Sequence, residues 1–119
     1  MATFSKTILS GSTDGRGILV DDDATPGKLI HTGPTNTAHL HEIWLYAQNY
    51  DTTDRKLTIE WGGTTAGGDV IEYTVKAENG LYLIAPGLLI KGNATALIVR
   101  AFAATTSSIN IFGYVNVIA

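Results

Sequence analysis

The chain has 119 residues, one domain by length and enough to bury a core without covalent staples. It has no cysteine, which excludes disulfides, thiolate metal sites and a cysteine nucleophile, and suits a reducing compartment or a particle that assembles without oxidative folding. A net charge of −3 with 16% charged residues excludes the basic stripe of a general nucleic-acid binder, and no apolar run is long enough to span a bilayer. Residues 1–11 lack the apolar centre of a secretory signal. Low charge with a positive mean hydropathy points either to assembly or to a compact β domain with few charges.

Residues 1–10 alternate weakly and read as an N-terminal arm or edge strand, followed by a single β-sandwich domain over residues 11–119. A turn cluster over residues 10–15 leads to a short strand at Ile18, Leu19 and Val20. The run at 21–27, DDDATPG, is a strong turn signal. A short strand over Lys28 to Thr32 precedes a loop at 33–37. From His39 to Asn49 the alternation is clear, with Ile43, Leu45 and Ala47 on one face and Glu42, Trp44, Tyr46 and Gln48 on the other. Residues 56–62 place Leu57, Ile59 and Trp61 inward and Thr58 and Glu60 outward. After a glycine-rich connection, residues 70–76 place Ile71, Tyr73 and Val75 on one face. Residues 81–90 are apolar but broken at Pro86-Gly87, which predicts a bend or two short strands.

The last stretch, residues 94–119, has two alternating apolar runs around the polar turn 105–108 and reads as a β-hairpin. Leu97, Val99, Ala101 and Ala103 share a face, as do Ile109, Ile111, Gly113, Val115 and Val117. The opposite faces, with Arg100, Phe102, Phe112 and Tyr114, are also largely apolar. A hairpin apolar on both sides needs two covers, the domain's own core and a second subunit or partner. About eight or nine short strands without a helical period indicate an all-β, jelly-roll-like antiparallel β-sandwich rather than an immunoglobulin-like one.

Several groups are candidates for chemistry. His39 and His41 share a strand face and His31 lies close in sequence, an arrangement open to metal ligation or to exposed strand ends. Asp21, Asp22 and Asp23 lack the spaced oxygen ligands of a calcium loop and read as a solvated turn. Pairing residues 57–61 with 71–75 so that Trp61 faces Ile71 sets Glu60 opposite Glu72, a carboxylate pair that needs a neutralising cation such as Arg100, Arg55 or Lys76, or else serves a glycosidase. The glycine-rich stretches lack a phosphate-binding fingerprint, and the Asn93-Ala94-Thr95 sequon matters only on a secretory route. No Ser–His–acid spacing singles out a catalytic triad. Trp44, Tyr46, Phe102, Phe112 and Tyr114 are the outer-face aromatics; with Arg100 they are the candidates for a subunit or capsid interface, and a carbohydrate surface is the alternative.

The order of the phrases LSGSTDGRGILV, HEIWLYAQN, LTIEWGGTT, GLYLIAPGLLI and IVRAFAATTSSINIFGYVNVI resembles small capsid decoration (cement) proteins of tailed bacteriophages, of the marine and cyanobacterial phage type. The resemblance implies a jelly-roll homotrimer on the outside of the virion capsid, bound to the major capsid protein where its subunits meet and assembled in the host cytoplasm. It brings no catalytic residue, no cofactor, no metal, and neither a nucleic acid nor a membrane as partner.

Overall fold

Short alternating runs, broken every few residues by glycine, proline, aspartate or asparagine, leave no helical stripe to bury, and the chain forms strands throughout. The computed structural model describes residues 2–119; Met1, where the expected N-terminal arm begins, lies outside the described residues. Nine strands and no helix occur among the described residues: β1 (Phe4–Ile8), β2 (Ile18–Leu19), β3 (Lys28–Thr32), β4 (Leu40–Asn49), β5 (Arg55–Trp61), β6 (Val70–Val75), β7 (Tyr82–Lys91), β8 (Ile98–Ala103) and β9 (Ile109–Ile118).

They form two antiparallel sheets. One runs β1–β9–β4–β7, with β2 also on β9; the other runs β3–β8–β5–β6. β1 pairs with residues 114–118 of β9 and β2 with residues 110–111, so the two short strands occupy successive parts of one edge. With β1 and β2 counted as one position, the order is first–eighth–third–sixth facing second–seventh–fourth–fifth, the jelly-roll arrangement of two Greek keys.

The core lies between the sheets and follows the alternation. Ile43, Leu45 and Ala47 of β4, Leu57 and Ile59 of β5, Val99, Ala101 and Ala103 of β8, and Ile109, Ile111 and Val115 of β9 are all buried. Each of the larger ones contributes about 1.5–3 kcal/mol on leaving water. The loop after β4 is tied by Asn49, itself fully buried. Its Nδ2 donates to the carbonyls of Thr53 and Val75 at 2.9 Å, and its Oδ1 accepts the Asp51 N–H at 2.9 Å.

Three expectations are corrected. The last two strands do not form a hairpin: β8 pairs with β3 and β5, β9 with β1, β2 and β4, and residues 104–108 carry the chain from one sheet to the other. Of the two forms expected for the break at Pro86-Gly87, the division into two short strands does not occur: β7 runs through it and absorbs extra residues as two bulges against β4, the first of them at Gly87, where a bulge bends the strand. Gly87, at φ 74°, makes one of these possible; a side chain there would be strained and its Cβ would come within 2.9 Å of the Trp44 indole. The third correction is the register of β5 on β6. Thr58, not Glu60, lies opposite Glu72, and Glu60 faces Val70.

Candidate interaction face

The outward side chains of the five-stranded sheet form rungs across β1, β9 and β4. Phe4, Ile118 and Leu40 make the first; Lys6, Asn116 and Glu42 the second; Ile8, Tyr114 and Trp44 the third. Phe112 beside Tyr46 is the fourth, and Leu19, Asn110 and Gln48 end the series. On the other side of β4, the strand β7 adds Leu89 next to Glu42, Pro86 next to Trp44 and Leu83 next to Tyr46. One polar rung therefore crosses a face that is otherwise apolar and aromatic over its first four rungs.

Contacts within the face fix its aromatics. Trp44 and Tyr114 lie nearly parallel, with ring centroids 6.0 Å apart, and the Lys6 ammonium sits 4.9 Å from the Tyr114 ring centre. Trp44 Nε1–H donates to Glu42 Oε2 at 2.7 Å and Asn116 Nδ2–H donates to the same oxygen at 2.8 Å. These donors, Trp44 first, hold the Glu42 carboxyl below its usual range, so it is an anion at neutral pH. The tip of the Phe112 ring lies against Gly17, so the loop before β2 covers that end of the face. Trp44, Tyr46 and Tyr114 are half-buried among their neighbours, and the open surface lies on the flanking strands β1, β2 and β7. Phe4 is 72% exposed and Leu89 53%, with Ile8, Leu19 and Leu83 also exposed. Exposed Leu81, Tyr82 and Leu88 continue the apolar surface around the free edge of β7, where Tyr82 stacks on Tyr73 of β6 at 4.2 Å.

The opposite outer face, on the four-stranded sheet, has a different character. Lys56 pairs with Glu72 at 3.0 Å, and residues 21–27 fold over β5. Glu60, 1% exposed, is buried under that loop: its Oε1 accepts the Gly27 N–H at 2.7 Å and its Oε2 accepts the Thr25 hydroxyl at 2.5 Å. Its cross-strand neighbour Arg100 donates to the Gly27 carbonyl at 3.3 Å. Glu60 thus clamps a loop, and with Glu72 exposed and paired to lysine the two carboxylates do not form the opposed pair a glycosidase would use.

Of the sequence candidates, Trp44, Tyr46, Phe112 and Tyr114 come together on the five-stranded sheet. Arg100 and Phe102 do not join them; the hairpin expected to unite the two sets is absent, and β8 carries them on the opposite face. His31 and His41 meet across the sandwich, Nε2 to Nδ1 at 2.9 Å. No three His, Cys, Asp or Glu side chains are grouped to hold a metal ion among the described residues. Reading the sequence alone missed the exposed leucines of β7 and Phe4, although the apolar run at 81–90 and its Pro-Gly interruption together signal an edge strand. No protein-family model matches this chain, and none of the curated proteins compared with it matches.

Proposed function

We propose that this chain is a structural assembly protein: a capsid decoration (cement) protein that forms a homotrimer and binds the major capsid protein on the outside of a virion shell. The observation that supports it is the outer face of the five-stranded sheet, where half-buried aromatics are flanked by exposed Phe4, Ile8 and Leu19 and by the exposed leucines of β7. A surface of this kind on a small chain is the mark of a partner-binding site. A threefold ring buries two different patches of each subunit. Patches on opposite faces of a sandwich stack copies in a line, whereas this face and the adjoining β7 edge meet at an angle and suit a closed ring. In this reading Trp44, Tyr46, Phe112 and Tyr114 belong to the ring contact, and Arg100 and Phe102 lie outside it. Three linked subunits then hold a capsid through avidity. The test is co-sedimentation with empty capsids and their heat resistance: binding with a raised failure temperature is expected, and equal robustness without the protein contradicts the cement role.

A second reading, a carbohydrate-binding module on a virion surface or tail, is favoured by the polar rung. Lys6, Glu42 and Asn116 line a depression of about 360 Å³ with Phe4 and Ile118 beside them. Amide, carboxylate and ammonium groups next to an exposed ring suit a sugar's hydroxyls and its apolar face. A glycan-dependent change in tryptophan fluorescence would favour this reading over the first.

A further inference from the structure

The end of the sandwich where β3 leads into β4 is held by a chain of hydrogen bonds. The Ser10 N–H donates to His31 Nδ1 at 3.0 Å, so that nitrogen carries no proton and the His31 hydrogen is on Nε2. Nε2–H then donates to His41 Nδ1 at 2.9 Å, which places the His41 hydrogen on its own Nε2. Two further bonds fasten the same crossing: Thr32 N–H to Ser10 Oγ at 2.6 Å and Gly11 N–H to the Ile30 carbonyl at 2.9 Å. This crossing matters because β1 has little else to hold it. All five β1 side chains are exposed, so apart from its ladder with β9 the N-terminal segment is anchored by buried Leu9 and by the Ser10–Gly11 contact.

The chain of donors has no place for another proton. Added at His31 Nδ1, it faces the Ser10 N–H; added at His41 Nδ1, it faces His31 Nε2–H. Either way two donors are opposed in a buried site, with His31 only 3% exposed. Nothing close by offsets the charge. The cross-strand neighbours are Ile90 of β7 and Val117 of β9 for His41, and Val99 of β8 for His31; Ser10 is uncharged, and the one further titratable group acting on the pair is His39.

We propose that the His31–His41 pair is an acid-operated latch: in its neutral form it pins Ser10 and the N-terminal segment across the end of the sandwich, and on taking up a proton it releases them while the remaining strands stay folded. Burial, and then the neighbouring His41, push the His31 pKa down to about 4 from 6.5. Release of the segment exposes His31 and lets its pKa rise back towards the ordinary value, so opening should rise between about pH 7.5 and pH 5, by up to about thirtyfold if the return is complete.

The test is amide hydrogen exchange by NMR at those two pH values, corrected for the intrinsic pH dependence of exchange. Protection at Ser10, Gly11 and Thr32 is expected to fall at the lower pH, by up to about thirtyfold, while Leu45 and Ile111 keep theirs. In His31→Asn, whose Oδ1 offers the Ser10 N–H an acceptor that does not titrate, this pH dependence should vanish. The wild-type comparison decides the matter alone if that variant does not fold. Unchanged protection at Ser10 and Gly11, loss of protection throughout both sheets together, or the same pH dependence in His31→Asn would each overturn the latch.

Discussion

Glu60 stands among apolar neighbours in β5 and is as buried as they are, because loop 21–27 needs an acceptor on that face. Removing it strands the Gly27 N–H in a buried site. Glu60→Ala is expected to cost about 3 kcal/mol and Thr25→Val about 1 kcal/mol in urea unfolding; equal, small effects would mean the loop is not clamped there. Acid should act on the fold in two windows. His31 is neutral in the folded chain, so its contribution is complete above 6.5 and is lost as pH falls towards about 4, roughly 3 kcal/mol in all. The carboxyls of Glu42, Asp51 and Asp54 are held low by Trp44, by Arg55 and by the Ala77 N–H respectively, so their contribution is present above the ordinary carboxylate range and is lost only below it. The neighbouring His41 is held below its usual value as well, by burial and then by His39, so chemical denaturation across pH should show a decline below about pH 6.5 that is smaller in His31→Asn, and a later one that the variant keeps.

At the scale of elements, alternation revealed which side chains face inward but not which strands are neighbours. Ile43, Leu45 and Ala47 could be set apart from Glu42, Trp44, Tyr46 and Gln48 by alternation and are the buried set, whereas Val99, Ala101 and Ala103 oppose a face that is largely apolar too, and the structure decides that they are the inner ones. The pairing of β5 with β6 was misplaced by two residues, a slip that leaves every inward residue inward and so has no signature in the pattern. Residues 104–108 are as short and polar as a hairpin turn, yet they cross between sheets, with β9 along the whole of β4 and β8 on β5. The His31–His41 contact was hidden for the same reason: spacing grouped His39 with His41, while topology brings His31 across the sandwich. The Pro86-Gly87 break became a bulge because β7 is an edge strand, where lost ladder bonds cost least. Gly87→Ala should destabilise by about 1–2 kcal/mol through its positive φ and its contact with Trp44, with a shift in tryptophan emission. An unchanged urea midpoint would show that the bulge does not depend on glycine.

Across the whole molecule, the two outer faces differ in kind. The four-stranded face is salted by Lys56–Glu72 and partly covered by its own loop, whereas the five-stranded face offers aromatics, leucines and one anchored carboxylate. An apolar face of that breadth on a chain with 16% charged residues is what the assembly reading rests on. Leu83 and Leu89 are exposed, so Leu83→Lys with Leu89→Lys should leave each subunit folded, with a cooperative unfolding transition of its own, yet abolish association. The most direct measurement is molar mass by light scattering after size exclusion near neutral pH, for the wild type and this double variant. The account predicts three times the 12.6 kDa chain for the wild type and a single chain for the variant. A wild type that stays at 12.6 kDa at every concentration would contradict it.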